Sequence, residues 1–181
     1  MILQIATQDK NLSQKPEIAF YHLTRLRVEE VLPRLLSKTL DLGKRALIRA
    51  SSDILASELD QKLWLYETPT SWLPHATSKS LGKNGRAEDQ PIWISGPEMP
   101  VENPNKAQFL FQIDGGCLEE NLQPYQRIFN LFDGNNETLL NAARKRWKSL
   151  RDQNCFILTY WRQNASGEWS KEHTHHPQES V

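Results

Sequence analysis

Several familiar marks of function are missing from this chain of 181 residues. It has two cysteines, Cys117 and Cys155, and no CxxC pair, which argues against a disulfide framework and for a reducing, cytoplasmic setting; both read as ordinary core or near-core thiols. No apolar run approaches the roughly 20 residues a membrane helix needs, and the N-terminus carries no secretory signal, so no membrane contact is expected. Neither sign of charge dominates: 22 Lys and Arg balance 22 Asp and Glu, so attraction to nucleic acid must come from a local patch. Gly43-Lys44 and Gly82-Lys83 lack the spacing and the Ser/Thr of a phosphate loop, and no GxGxxG follows a strand, so no nucleotide cofactor is expected. His173, His175 and His176 have no partner set and no HExxH helix, so no metal is expected either. Nothing pairs a nucleophile with a base, so no catalytic residue is assigned.

What is present begins with residues 43–64, GKRALIRASSDILASELDQKLW. Ala46, Leu47 and Ile48 form a short apolar run, as a strand covered on both faces does, and the flanking residues favour strand over helix. Ser51 and Ser52 can cap a following helix, Asp53 suits its positive first turn, and Leu55, Leu59 and Leu63 make a core-facing stripe at four-residue spacing.

Further strands are read at Glu17 to Leu23, Pro91 to Ser95, Ala107 to Ile113, Gln126 to Asp133 and Cys155 to Trp161. Between the first two strands a helical pattern runs from Thr24 to Leu40, ended by Gly43; Pro33 predicts a kink, or a start of the helix proper nearer to it. Residues 66–89 read as a long loop, and Glu137 to Arg151 as the third helix. Strands alternating with helices imply a single α/β domain over 17–162, with a mixed, mostly parallel sheet flanked by helices, Rossmann-like without a nucleotide site. The two strands after Pro91 are candidates for antiparallel pairing. Residues 1–16 read as an N-terminal extension and 163–181 as a polar, disordered tail.

Two features stand out. Between Arg144 and Arg151 five of eight residues are basic and none is acidic. At about 100° per residue Leu139, Ala143 and Leu150 share a core face, Leu140 and Trp147 lie beside it, and Arg144 and Arg151 lie just beyond. An apolar notch bordered by guanidinium groups suits an acidic peptide end, although a solvated basic face with Trp147 packed inward is the plainer reading. The second feature is Trp64 with Trp72-Leu73-Pro74-His75, either a lid on the domain's own core or the anchor of a protein interface.

The 43–64 segment followed by SWLPH, and later ETLLNAARKRWKSLRDQN running into a final strand, resembles the chi subunit family of bacterial DNA polymerase III over about Glu17 to Trp161. The resemblance implies a non-catalytic accessory subunit of a DNA-directed DNA polymerase in DNA replication. It implies two protein partners: the psi subunit, which would tie the chain to the clamp loader as a heterodimer, and the acidic C-terminal tail of single-stranded DNA-binding protein. A DNA repair helicase would be a further partner at the psi site, and contact with DNA would be indirect. Carried onto this sequence, the tail site falls on Arg144, Trp147, Ile157 and Thr159. Leu140 stands where relatives have a further basic residue, which implies either a weaker hold on the tail or compensation by Lys148 or Arg151. The psi surface falls on Trp64, Trp72, Leu73, Pro74 and His75. Residues 1–16 and those from Ala165 onward exceed the family's usual span. The competing reading is a direct single-stranded nucleic-acid binder using the basic helix 144–151, with steep salt dependence and indifference to the tail. A small enzyme would need a pair of perturbed titratable groups, for which the sequence offers no candidate.

Overall fold

Apolar runs buried on both faces account for the centre of the molecule, because only a parallel strand with layers above and below it is served by side chains that are all apolar. The computed structural model of the protein describes residues 15–178 apart from 67–71, 84, 100–102, 117–120 and 165; expectations for residues 1–14 and for Cys117 lie outside these. The strands are β1 (Glu17–Leu23), β2 (Ala46–Ala50), β3 (His75–Thr77), β4 (Ile92–Ser95), β5 (Phe109–Ile113), β6 (Arg127–Asp133), β7 (Ile157–Gln163) and β8 (Trp169–His175). They form one sheet in the order β3-β4-β2-β5-β6-β1-β7-β8. Every neighbouring pair is parallel except β7 with β8. The fold is therefore the expected α/β domain with a mostly parallel sheet.

Helices α1 (Val28–Asp41), α2 (Asp53–Trp64) and α3 (Glu137–Gln153) divide between the two faces. Ala19 and Tyr21 of β1, Ile48 of β2 and Phe111 of β5 pack with Leu32 and Leu36 of α1 and Leu59 and Leu63 of α2. The alternate residues Ile18, Phe20, Leu47 and Leu158 pack with Ala143 and Leu150 of α3. Period two along the strands thus assigns each core residue to one layer.

Local signals set the helix ends. Ser52 Oγ accepts from the Leu55 amide at 3.1 Å, and Asn136 Oδ1 accepts from Thr138 and Leu139 at the start of α3. Gly43, at φ 66°, follows α1 with its amide on the Leu40 carbonyl while that of Lys44 reaches Thr39, the paired bonds of a Schellman motif.

Four expectations need correction. The first concerns α1, which begins at Val28 rather than Thr24 or near Pro33, and runs through Pro33. The amides of Thr24, Arg25 and Leu26 all donate to Gln163 Oε1 at 3.1 Å, so that stretch is held as a loop by the end of β7. Second, β4 and β5 do not pair with each other; β2 lies between them and both run parallel to it. Third, residues 169–175, read as disordered tail, form β8 antiparallel to β7, and the long loop before β4 contributes β3 and a short 3-10 turn at Ala87–Asp89. Fourth, Cys155 is exposed rather than in or near the core.

Candidate functional site

The face of α3 is set by its spacing. Ala143 and Leu150 are buried, Leu139, Leu140 and Trp147 are half-buried against the same layer, and Arg144, Lys148 and Arg151 are exposed. Trp147 meets Phe20 of β1 edge-on, ring centroids 5.3 Å apart, and meets Tyr160 of β7 at 5.8 Å and 85°. Such edge-to-face contacts stabilise by about 1 kcal/mol beyond the area buried. The inward packing of Trp147 and the basic rim thus coexist. Beneath them the Tyr160 hydroxyl lies 3.0 Å from His22 Nδ1, and the His22 ring stacks on Phe132.

Electrostatics place the positive groups around this aromatic floor. Burial lowers the His22 pKa first, with the Arg162 and Arg144 charges adding to it and the Gly134 backbone and Glu172 opposing. Burial also raises the Tyr160 pKa, helped by Glu172 and countered by Arg144 and Arg162. Arg144 therefore acts on the notch, and so does Arg162, which sits 3.9 Å from Glu172 of β8. The five basic residues of α3 are not equivalent. Arg146 turns inward, donates to Gln112 Oε1 at 2.7 Å, and has its pKa lowered to about 10 by burial. Arg151 is paired with its neighbour Asp152. Among the described residues Arg144 bonds only to Asn141 Oδ1, at 3.4 Å.

The strand residues expected beside this helix, Ile157 and Thr159, are turned away from it by the pleat. Leu158 and Tyr160 face α3, whereas Thr159 donates to Glu17 Oε1 and accepts from Trp161 Nε1 on the opposite face, where Trp161 stacks on Tyr21. Ile157 shares the parity of Thr159. The structure thus brings together Leu140, Arg144, Trp147 and the rim residue Lys148, and leaves Ile157 and Thr159 outside the notch. Phe20, His22, Tyr160 and Arg162 were not singled out from the sequence; the period-two pattern of CFILTYWRQ, read with Leu158 inward, is the signal that finds Tyr160 and Arg162.

At the other end of the sheet, β3 is the edge strand, and the Trp-Leu-Pro-His segment leads into it. Leu73 and His75 are buried, Pro74 is half-buried, and Trp72 is 81% exposed. His75 fixes the segment to α2: Nδ1 lies 2.7 Å from the Leu73 carbonyl and Nε2 lies 3.1 Å from the Asp60 carbonyl. Its ring is 4.8 Å from that of Trp64, itself 60% exposed at the end of α2 and followed by exposed Leu65. Trp72 is therefore no lid, and a tight polar anchor displays two indoles beside the β3 edge.

The model of the family described as DNA polymerase III chi subunit, HolC, matches residues 16–157, most of the chain. This chain belongs to that family. It is also 29% identical over 146 residues to the DNA polymerase III subunit chi of Haemophilus influenzae, covering 77% of this chain and 93% of the relative. As a chi subunit it is an accessory subunit of DNA polymerase III that serves DNA replication. No helix among the described residues is long and apolar enough to cross a membrane. The chi match takes in the Trp-Leu-Pro-His segment and all of α3, and stops at Ile157, so most of β7 and all of β8 lie beyond it.

Proposed function

We propose that this chi subunit is a non-catalytic connector, carrying one partner on each half of its sheet. The α3 face takes the acidic C-terminal tail of single-stranded DNA-binding protein, and the β3 edge with Trp64 and Trp72 takes psi, and through psi the clamp loader. A DNA repair helicase would share the second surface. The observation that carries the reading is the half-buried pair Trp147 and Tyr160, packed on buried Phe20, with exposed Arg144 at its border. Aromatic faces accept an apolar terminal side chain, and a guanidinium holds a carboxylate through two parallel hydrogen bonds. Leu140 at the rim lengthens the apolar floor where a further cation would add charge, and Lys148 supplies charge one turn on from Arg144. Calorimetry with an acidic peptide ending in an apolar residue tests the reading: the free carboxylate should bind and its amide should bind at least about tenfold more weakly. Equal binding of the two would overturn it.

Direct binding of single-stranded nucleic acid is the second reading, favoured by exposed Lys145 and Lys148 on the same helix. It predicts affinity that falls steeply with salt and survives competition by the peptide.

A further inference from the structure

A cavity of about 190 Å3 opens on the opposite face of the sheet from α3, between α1 and the hairpin joining β7 to β8. Its walls are Tyr21 of β1, Leu26 of the following loop, Val31 and Leu35 of α1, and Trp169 at the start of β8, with Arg34 and Lys38 also lining it. An apolar cavity of roughly 150 Å3 holds benzene, so this one has room for a ring or a branched chain with a polar group attached. The hairpin wall lies outside the family match, so the cavity belongs to this chain's own extension of the sheet.

From this lining we propose that the cavity is a second binding site, for an apolar or aromatic group that bears a carboxylate. Tyr21, itself fully buried between Trp161 and Phe129, meets Trp169 edge-on at 5.1 Å and fixes that half-buried indole as the aromatic wall a flat apolar body would meet. Arg34 is exposed on the outer turn of α1, with no ion-pair partner among the described residues, and Lys38 lies one turn further on. The one acidic residue of the lining, Glu168, is turned to its own hairpin: Oε2 accepts from Asn164 and Ser166, each at 3.2 Å, which lowers its pKa. Arg34 is therefore the guanidinium that a carboxylate would meet at the mouth. Among the described residues the buried hydroxyl of Tyr21 has no hydrogen-bond partner, nor does Nε2 of Gln163, which lies behind the lining with its Oε1 on the Leu26 amide and its backbone paired with Trp169. Burial pushes the Tyr21 pKa up to about 12, so its hydroxyl keeps its proton at neutral pH. A small free acid and the last residue of a peptide chain present the same chemistry.

The test is titration of the full chain with N-acetyl-L-phenylalanine, its amide, and a glycine peptide ending in phenylalanine, followed by the indole N–H resonances and by calorimetry. The acid should shift Trp169 while leaving Trp147 in place, and the amide should bind about tenfold more weakly or not at all. Arg34→Ala, an exposed change that keeps the fold by circular dichroism, should weaken the acid by about tenfold, and Arg34→Lys should restore part of the loss. Tighter binding of the peptide than of the free acid assigns the site to a chain terminus; equal binding assigns it to a small acid. No shift of Trp169 at millimolar acid, equal binding of the amide, or indifference to Arg34→Ala would overturn the proposal. These residues are separate from those of α3, so failure here leaves the reading of that face untouched.

Discussion

The Tyr160 hydroxyl sits 3.0 Å from His22 Nδ1, tying the strand that floors the α3 notch to its parallel neighbour β1. With the His22 pKa lowered, the ring is neutral near neutral pH, and Nδ1 accepts from Tyr160. Tyr160→Phe removes the donor and leaves a buried acceptor unpaired. It should cost about 1 to 2 kcal/mol of unfolding free energy, read by denaturant melts, with little change in the apolar floor.

The same pair makes stability depend on pH. A histidine whose pKa is lowered on folding binds fewer protons in the folded than in the unfolded state, so stability rises with pH. The contribution is constant above the ordinary histidine value of about 6.5, and stability is lost as pH falls through that value towards the lower folded one. Thermal melts should show the His22→Leu variant losing less stability on acidification than the parent. Equal losses would show that His22 does not titrate as its burial requires.

Gln163 accepts three consecutive amides, from Thr24 to Leu26, through one oxygen. Gln163→Ala should destabilise the protein by about 2 to 3 kcal/mol, because three partly buried donors lose their acceptor together. Hydrogen exchange should speed up at Thr24, Arg25 and Leu26 while the α3 amides stay protected.

Much of this architecture could be read from residue order, and the misses have physical causes. Caps such as Ser52 and Gly43 and the buried strands EIAFYHL and FLFQI act locally, so spacing and residue type were enough. Strand β8 escaped because WSKEHTH is polar; it is an edge strand, and its exposed residues need no apolar pattern. Parallel pairing of β4 and β5 through β2 is a fact of topology that consecutive strands do not reveal. Of the notch, the α3 period marks Trp147 and Arg144; Ile157 and Thr159 rest on the family resemblance, and the pleat of β7 turns Leu158 and Tyr160, not them, towards α3. The inward turn of Arg146 depends on Gln112, 34 residues away in sequence.

The two proposed partner surfaces involve different helices and lie towards opposite ends of the sheet, so changes in one should not reach the other. Trp72→Ala removes an exposed indole and should leave the melting temperature unchanged, unlike Leu73→Ala, which empties a buried site and should cost about 2 to 5 kcal/mol. A fall in stability with Trp72→Ala would instead mean that its indole covers the core.

The most direct test of the connector account is a crossed measurement: purified psi and the acidic tail peptide, each titrated against the parent, Arg144→Ala and Trp72→Ala. The account predicts that Arg144→Ala weakens the tail by about tenfold or more and leaves psi unchanged, while Trp72→Ala weakens psi and leaves the tail unchanged. Loss of both partners together in either variant, or of neither in both, would contradict it.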